Sequence, residues 1–211
     1  MQEQIIKANA DISLTVMPGE IVWIKGNSGA GKSTFLNVVS GIDFADSGSV
    51  KWDTDEITEM TGKQCADFRL KKCGLVFQFF ELMKTQNAFD NAALPMKIKG
   101  STKKEISQKM CALFEDFEVG QLMKKKPAEL SGGEKQRIAI IRALANDPVY
   151  LLADEITASL DRTLSEKVYD YLRNYIKKQN GIGLFVSHDP AITEYADACY
   201  IMNDGRLEKC I

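Results

Sequence analysis

GNSGAGKST, residues 26–34, follows the apolar run EIVWI of residues 20–24 and opens a stretch of helical character. Gly26, Gly31, Lys32 and Ser33 fit the spacing G-x-x-x-x-G-K-[ST] between a strand and a helix, where glycines let backbone amides turn inward on phosphates. The following helix adds its partial positive N-terminus. Gly26, Asn27, Ser28, Gly29, Ala30, Gly31, Lys32, Ser33 and Thr34 are therefore the candidate cradle for a nucleoside triphosphate. Lys32 is expected to reach the β- and γ-phosphates and the Ser33 hydroxyl to ligate Mg²⁺.

Such a cradle needs a carboxylate at the end of another buried strand. VYLLA, residues 149–153, is an apolar run that delivers Asp154 and Glu155. Adjacent residues leave a strand in different directions, so the two carboxylates can divide the work. Asp154 is expected to hold Mg²⁺ through water, and Glu155 to polarise the attacking water as general base.

Outward from these two runs the periodicity alternates between strand and helix. ISLTV (12–16) alternates Ile12, Leu14 and Val16 and predicts a half-buried strand; SGSVKWD predicts an exposed one. GLVFQ (74–78) and GLFVS read as buried strands, and Asp204-Gly205 as a hairpin turn. Ile106, Met110, Phe114 and Phe117 recur at helical steps, as do Leu164, Val168, Tyr171, Leu172 and Tyr175. This pattern predicts an α/β fold, a P-loop NTPase core with a mainly parallel sheet. One domain is expected over 1–211, with 1–85 and 146–211 forming the core and 86–145 an inserted helical subdomain.

Composition narrows the function classes. Charged residues are 27% of the chain and the net charge is -2, which gives no nucleic-acid footprint. The lysine runs at 71–72, 103–104, 124–126 and 177–178 read as solvated faces. No apolar stretch reaches the ~20 residues of a membrane span and no signal pattern opens the chain, so a membrane role would need a partner. Cys65, Cys73, Cys111, Cys199 and Cys210 are dispersed without a CxxC pair, which fits a reducing cytoplasm.

A second glycine-rich helix start, LSGGE, lies at Leu130–Glu134. Ser131, Gly132, Gly133 and Glu134 offer a hydroxyl and consecutive amides, again an anion site. Placed at the end of the helical insertion, it is expected to cap the γ-phosphate of ATP bound to a second copy, so that two subunits sandwich two ATP molecules with twofold symmetry.

Over nearly its whole length the sequence resembles the nucleotide-binding domain of ABC transporters. LSGGE is similar to the family signature, Gln78 in VFQFF to the glutamine loop that approaches Mg²⁺ and water, and Ala158-Ser159-Leu160-Asp161 to the loop crossing between sites. His188 in FVSHD matches the switch histidine that contacts the γ-phosphate. Among branches, the chain looks like the ATPases of macrolide export, lipoprotein release, antimicrobial-peptide resistance and cell division. The resemblance implies an ATP-hydrolysing subunit that dimerises and powers an integral-membrane permease or a membrane-anchored device, peripheral on the inner face of the membrane. Phe79, Phe80, Leu82 and Met83 either line the docking groove for that partner or pack the insertion onto the core. The alternatives are a soluble ABC-type ATPase acting on DNA or ribosomes, and a degenerate regulatory subunit. The chain departs from the family at Ile156, at Ala158-Ser159, and at its start: a family strand and an adenine-stacking aromatic are expected to be missing from the small antiparallel part, since no aromatic precedes Trp23.

Overall fold

A computed structural model describes residues 8–210. The reading of the chain's first seven residues, including the family match from Ile5, lies outside them. Five runs of the predicted kind become parallel strands: β1 (Ile21–Lys25), β4 (Cys73–Val76), β5 (Tyr150–Asp154), β6 (Ile182–Val186) and β7 (Ala198–Asn203). Before β4 come the two short strands β2 (Lys51–Trp52) and β3 (Asp55–Glu56), paired only with each other. Strand β8 (Arg206–Lys209) returns antiparallel beside β7 and completes a six-stranded sheet in the order β4-β5-β6-β1-β7-β8.

The strands carry apolar residues on both sides because helices cover both faces. Ile21 and Trp23 of β1 face one core, shared with Leu151, Phe185, Phe114 and Ile138; Val22 and Ile24 face the other, shared with Phe35, Leu152 and Leu184. The second face is covered by α1 (Lys32–Val39) and α2 (Gly62–Lys72), the first by α7 (Arg162–Gln179) and the helical block. That block comprises α3 (Ala88–Ala92), α4 (Leu94–Lys99), α5 (Lys103–Asp116) and α6 (Gly132–Leu144). Ile106, Met110, Phe114 and Phe117 are all buried, as their spacing predicts.

Two strand expectations are overturned. ISLTV keeps its alternation, with Ile12, Leu14 and Val16 half-buried against the second core, but it forms no ladder. Alternation fixes which side is buried, whereas a strand also needs a paired backbone, and β2 is engaged with β3. SGSVKWD contributes only its Lys51-Trp52 dipeptide. The hairpin turn is as expected, Asp204 and Gly205 both having the positive φ of the two-residue turn.

Candidate functional site

The strand order decides where the chemistry gathers. Strands β4, β5, β6 and β1 are parallel neighbours, so the segments leaving them emerge side by side at one edge: Gln78, then Asp154-Glu155, then Ser187-His188, then the glycine loop. Ligand sites of open parallel sheets lie at this edge.

Residues 27–29 are exposed, and Gly29 adopts φ 82 with nothing near the position of an absent Cβ. Gly26 is required for another reason: a Cβ there would lie 2.3 Å from the Met202 carbonyl oxygen on β7. Helix α1 starts at Gly31 with no side-chain cap and no acid in its first turn. By contrast α2, α5 and α6 each carry a capping box. The leading amides of α1, Lys32, Ser33 and Thr34, thus begin a helix whose donors are left for a ligand.

Lys32 is almost wholly buried, and its ammonium donates to the carbonyls of Gly26 (2.7 Å) and Asn27 (2.9 Å). Its Nζ lies 3.5 Å from His188 Nε2, which in turn lies 3.6 Å from Glu155 Oε1. Glu155 sits directly after β5 in a left-handed conformation, φ 54. Its carboxylate accepts the His188 N–H at 3.1 Å and the Ser187 hydroxyl at 3.3 Å. On the other side of α1's first turn the Ser33 hydroxyl donates to Asp154 Oδ2 at 2.5 Å.

Behind Glu155 and His188 lies a buried polar cluster absent from the sequence reading. The Thr157 hydroxyl donates to Asp189 at 3.0 Å and is 2.8 Å from the Tyr169 hydroxyl, which also reaches Asp189 at 3.2 Å. The Asp189 N–H closes onto the Ser187 hydroxyl at 3.0 Å. Burial, more than the nearby Asp189 charge, pushes the Tyr169 phenol well above its ordinary range, so it stays a neutral donor. Asn9 was also missed: its amide donates to the Gly31 carbonyl at 3.1 Å. The only sequence cue was adjacency, since Thr157 and Asp189 each neighbour a motif residue.

Other candidates stand apart. Gln78 is exposed and its side chain makes no hydrogen bond among the described residues. Strand β4 lies three strands from β1 but pairs directly with β5, Val76 beside Ala153, so Gln78 leaves the sheet next to Asp154 and one strand further out. Ser131 caps α6, accepting the Glu134 N–H at 3.3 Å while Glu134 accepts the Ser131 N–H at 2.7 Å. That amide holds the Glu134 carboxyl below the usual carboxylate range. Among the described residues nothing bonds Ser131–Glu134 to the loop at 26–34. Instead Gly133 packs on the crossing loop, where a Cβ would lie 3.0 Å from the Ser159 carbonyl oxygen. Asp161 caps α7 by accepting the Leu164 N–H at 2.9 Å. A groove of about 700 Å³ runs from Glu155 and His188 past Ala158 and Leu160 to Arg162.

The docking candidates divide. Phe79 is 77% exposed and Met83 44%, while Leu82 packs against the first core. Trp23 is buried and its indole donates to the Ser187 carbonyl at 2.9 Å. Among the described residues no helix is long and apolar enough to cross a membrane.

A family model described as ABC transporter matches residues 10–158. The lipoprotein-releasing system ATP-binding protein LolD of Treponema denticola is 37% identical over 198 residues, covering 94% of this chain and 88% of that protein. LolD of Porphyromonas gingivalis is 38% identical over 93% of this chain and 90% of its own length. The methionine import ATP-binding protein MetN 1 of Rhodopseudomonas palustris is 38% identical over 93% of this chain but 53% of its own. Among solved structures, the dimeric post-hydrolysis state of the ATP-binding cassette MJ0796 bound to ADP and Pi superposes with TM-score 0.94 at 32% identity, covering 99% of this chain and 93% of that one.

Proposed function

Because the chain belongs to the ABC transporter family of ATP-binding domains and is an ATPase, we propose that two copies enclose two ATP molecules and that hydrolysis drives an integral-membrane permease or a membrane-anchored device. The observation that carries this reading is the row Lys32 Nζ, His188 Nε2 and Glu155 Oε1, spaced 3.5 and 3.6 Å at the mouth of the glycine loop.

Each member of that row has a defined task. An ammonium has three donors; two of Lys32's are held by the loop carbonyls, which aims the third at a terminal phosphate oxygen. The Glu155 carboxylate, held by the His188 N–H and the Ser187 hydroxyl, takes the proton of the attacking water at Oε1. His188, whose backbone is fixed by the same carboxylate, presents Nε2 to the γ-phosphate. Ser33 and Asp154 suit Mg²⁺, which prefers one or two protein oxygens and takes its remaining ligands from phosphates and water. Bound there, Mg²⁺ would neutralise charge on the β- and γ-phosphates. Gln78, leaving β4 beside the strand that ends in Asp154, would complete that shell.

Ser131, Gly132, Gly133 and Glu134 of one copy would meet the γ-phosphate held by the other, and Asp161 would bring the crossing loop to the same seam. The groove beside Glu155 and His188 leaves room for that approach. The LolD and MetN relatives are named as ATP-binding proteins of a lipoprotein-releasing system and of methionine import, which supports a peripheral position on the inner face of the membrane, reached through Phe79 and Met83.

The test mixes a Lys32→Ala chain with a Ser131→Arg chain. Each homodimer is expected to be inactive, whereas a mixed dimer carries both defects in one site and neither in the other and should regain turnover. Full activity in either homodimer would exclude the composite site. Co-purification with a membrane partner separates the transport reading from a soluble ATPase.

A further inference from the structure

The five cysteines are dispersed in sequence, yet the last hairpin brings two of them together. Around the Asp204-Gly205 turn, Asn203 opposes Arg206 and Tyr200 opposes Lys209. One step further in the same register Cys199 opposes Cys210, and the Cys210 N–H donates to the Cys199 carbonyl at 2.9 Å. Directly opposed residues project from the same face of a sheet, and here the two Sγ atoms lie 2.9 Å apart. A hydrogen-bonded antiparallel pair sets its Cα atoms ~5.5 Å apart, inside the span of a disulfide.

We propose that Cys199 and Cys210 form a reversible two-electron thiol site, oxidised to an intrachain disulfide by a low-molecular-weight disulfide RSSR. Cys210 is exposed and Cys199 is buried, which sets the order of events. The Cys210 thiolate attacks one sulfur of RSSR and expels RS⁻, giving a mixed disulfide. Cys199 then loses its proton to solvent, attacks the Cys210 sulfur and expels the second RS⁻. Two protein thiols are oxidised, RSSR is reduced, and the two released protons end on two RSH. Burial first, and then the adjacent Cys210 thiol, push the Cys199 thiol up to about 12, so it serves as the resolving sulfur and not the first attacker. The part due to Cys210 disappears once that sulfur is capped.

The new bond would close the open end of a hairpin whose tip already touches the nucleotide loop. The Gly205 N–H donates to the Ala30 carbonyl at 3.0 Å, and the Gly205 carbonyl accepts the Ala10 N–H at 2.9 Å.

The full chain is equilibrated in buffers of oxidised and reduced glutathione, alkylated, and examined as intact protein and as peptides. Expected is a species two hydrogens lighter whose cross-linked peptides contain Cys199 and Cys210, with Cys65, Cys73 and Cys111 alkylated after unfolding. Halving reduced glutathione at fixed oxidised glutathione should raise the ratio of oxidised to reduced pair fourfold, because two thiols are released per bond. A twofold rise, with glutathione retained on Cys210, would overturn the site. So would a bond between Cys210 residues of two chains. Cys210→Ser, at an exposed position, should abolish the lighter species; its persistence would also overturn the assignment.

Discussion

Replacing Glu155 by Gln removes charge while keeping the side-chain outline and the Cβ, so the left-handed backbone at φ 54 is unchanged. The carboxylate uses both oxygens: Oε1 accepts the His188 N–H at 3.1 Å, and Oε2 accepts the Ser187 hydroxyl at 3.3 Å and lies 3.4 Å from the His188 N–H. Gln has one acceptor oxygen, and only the Oε2 position serves both donors. Its amide nitrogen then falls where Oε1 stood, 3.6 Å from His188 Nε2. Trading charge-assisted for neutral hydrogen bonds costs about 1 kcal/mol, or roughly 2–4 °C in Tm at this chain length. Losing a positioned base costs ~10²- to 10⁴-fold in turnover, about 3 to 5 kcal/mol of barrier. The rate effect therefore exceeds the stability effect several times over, and the two are separable. Phosphate release at saturating ATP, calorimetric ATP binding and a melting curve on the same preparation measure all three quantities. Bound ATP should persist and favour the dimer. Turnover close to that of the parent chain, with the melt unchanged, would remove Glu155 from the role of base.

The Arg142 guanidinium donates to the carbonyls of Phe80 (2.6 Å) and Glu81 (2.5 Å), both left-handed at φ 61 and 49; Arg142→Ala should cost about 2 kcal/mol and speed amide exchange at residues 79–83 while leaving ATP affinity intact. The Glu134 carboxyl is held below its ordinary value of 4.5 by the Ser131 N–H, so its stabilisation is complete above that value and is lost as pH falls through the lower folded-state value. Glu134→Gln should accordingly flatten the acid limb of the Tm profile, and an unchanged limb would show that the capping box contributes nothing there.

Phosphate chemistry made the site legible, because a cradle and its lysine must be contiguous in sequence. Gly26 to Thr34 and Asp154-Glu155 could be read from spacing alone. Strand order could not, since it is decided by pairings between segments as distant as Val22 and Ala198. Gln78, placed near the metal by resemblance alone, follows β4, the direct neighbour of the strand that carries Asp154. ISLTV failed for a related reason: its alternation was correct and its partner was not in the pattern. The cluster of Thr157, Tyr169, Ser187 and Asp189 was illegible because its members have no common spacing and meet only when α7 packs under the ends of β5 and β6. Cys199 and Cys210 were hidden in the same way, by a hairpin register that a list of thiols does not express.

The two glycine-rich helix starts, alike in sequence, differ in what they leave unsatisfied. At α1 no side chain caps the amides and the first turn carries no acid of its own, so an anionic ligand is the natural partner for an otherwise unmet set of donors. At α6 the Ser131-Glu134 box already satisfies two backbone donors, and the Gly133 backbone is pressed against Ser159. What remains free is the Ser131 hydroxyl proton and the first amides of the helix, too few to hold a triphosphate alone. Glu134 also places a carboxylate beside that end, which disfavours a free anion. In the proposed dimer, therefore, the α1 loop captures ATP first. The α6 end joins only when a second subunit presents it to a phosphate that is already bound and already charge-compensated by Lys32.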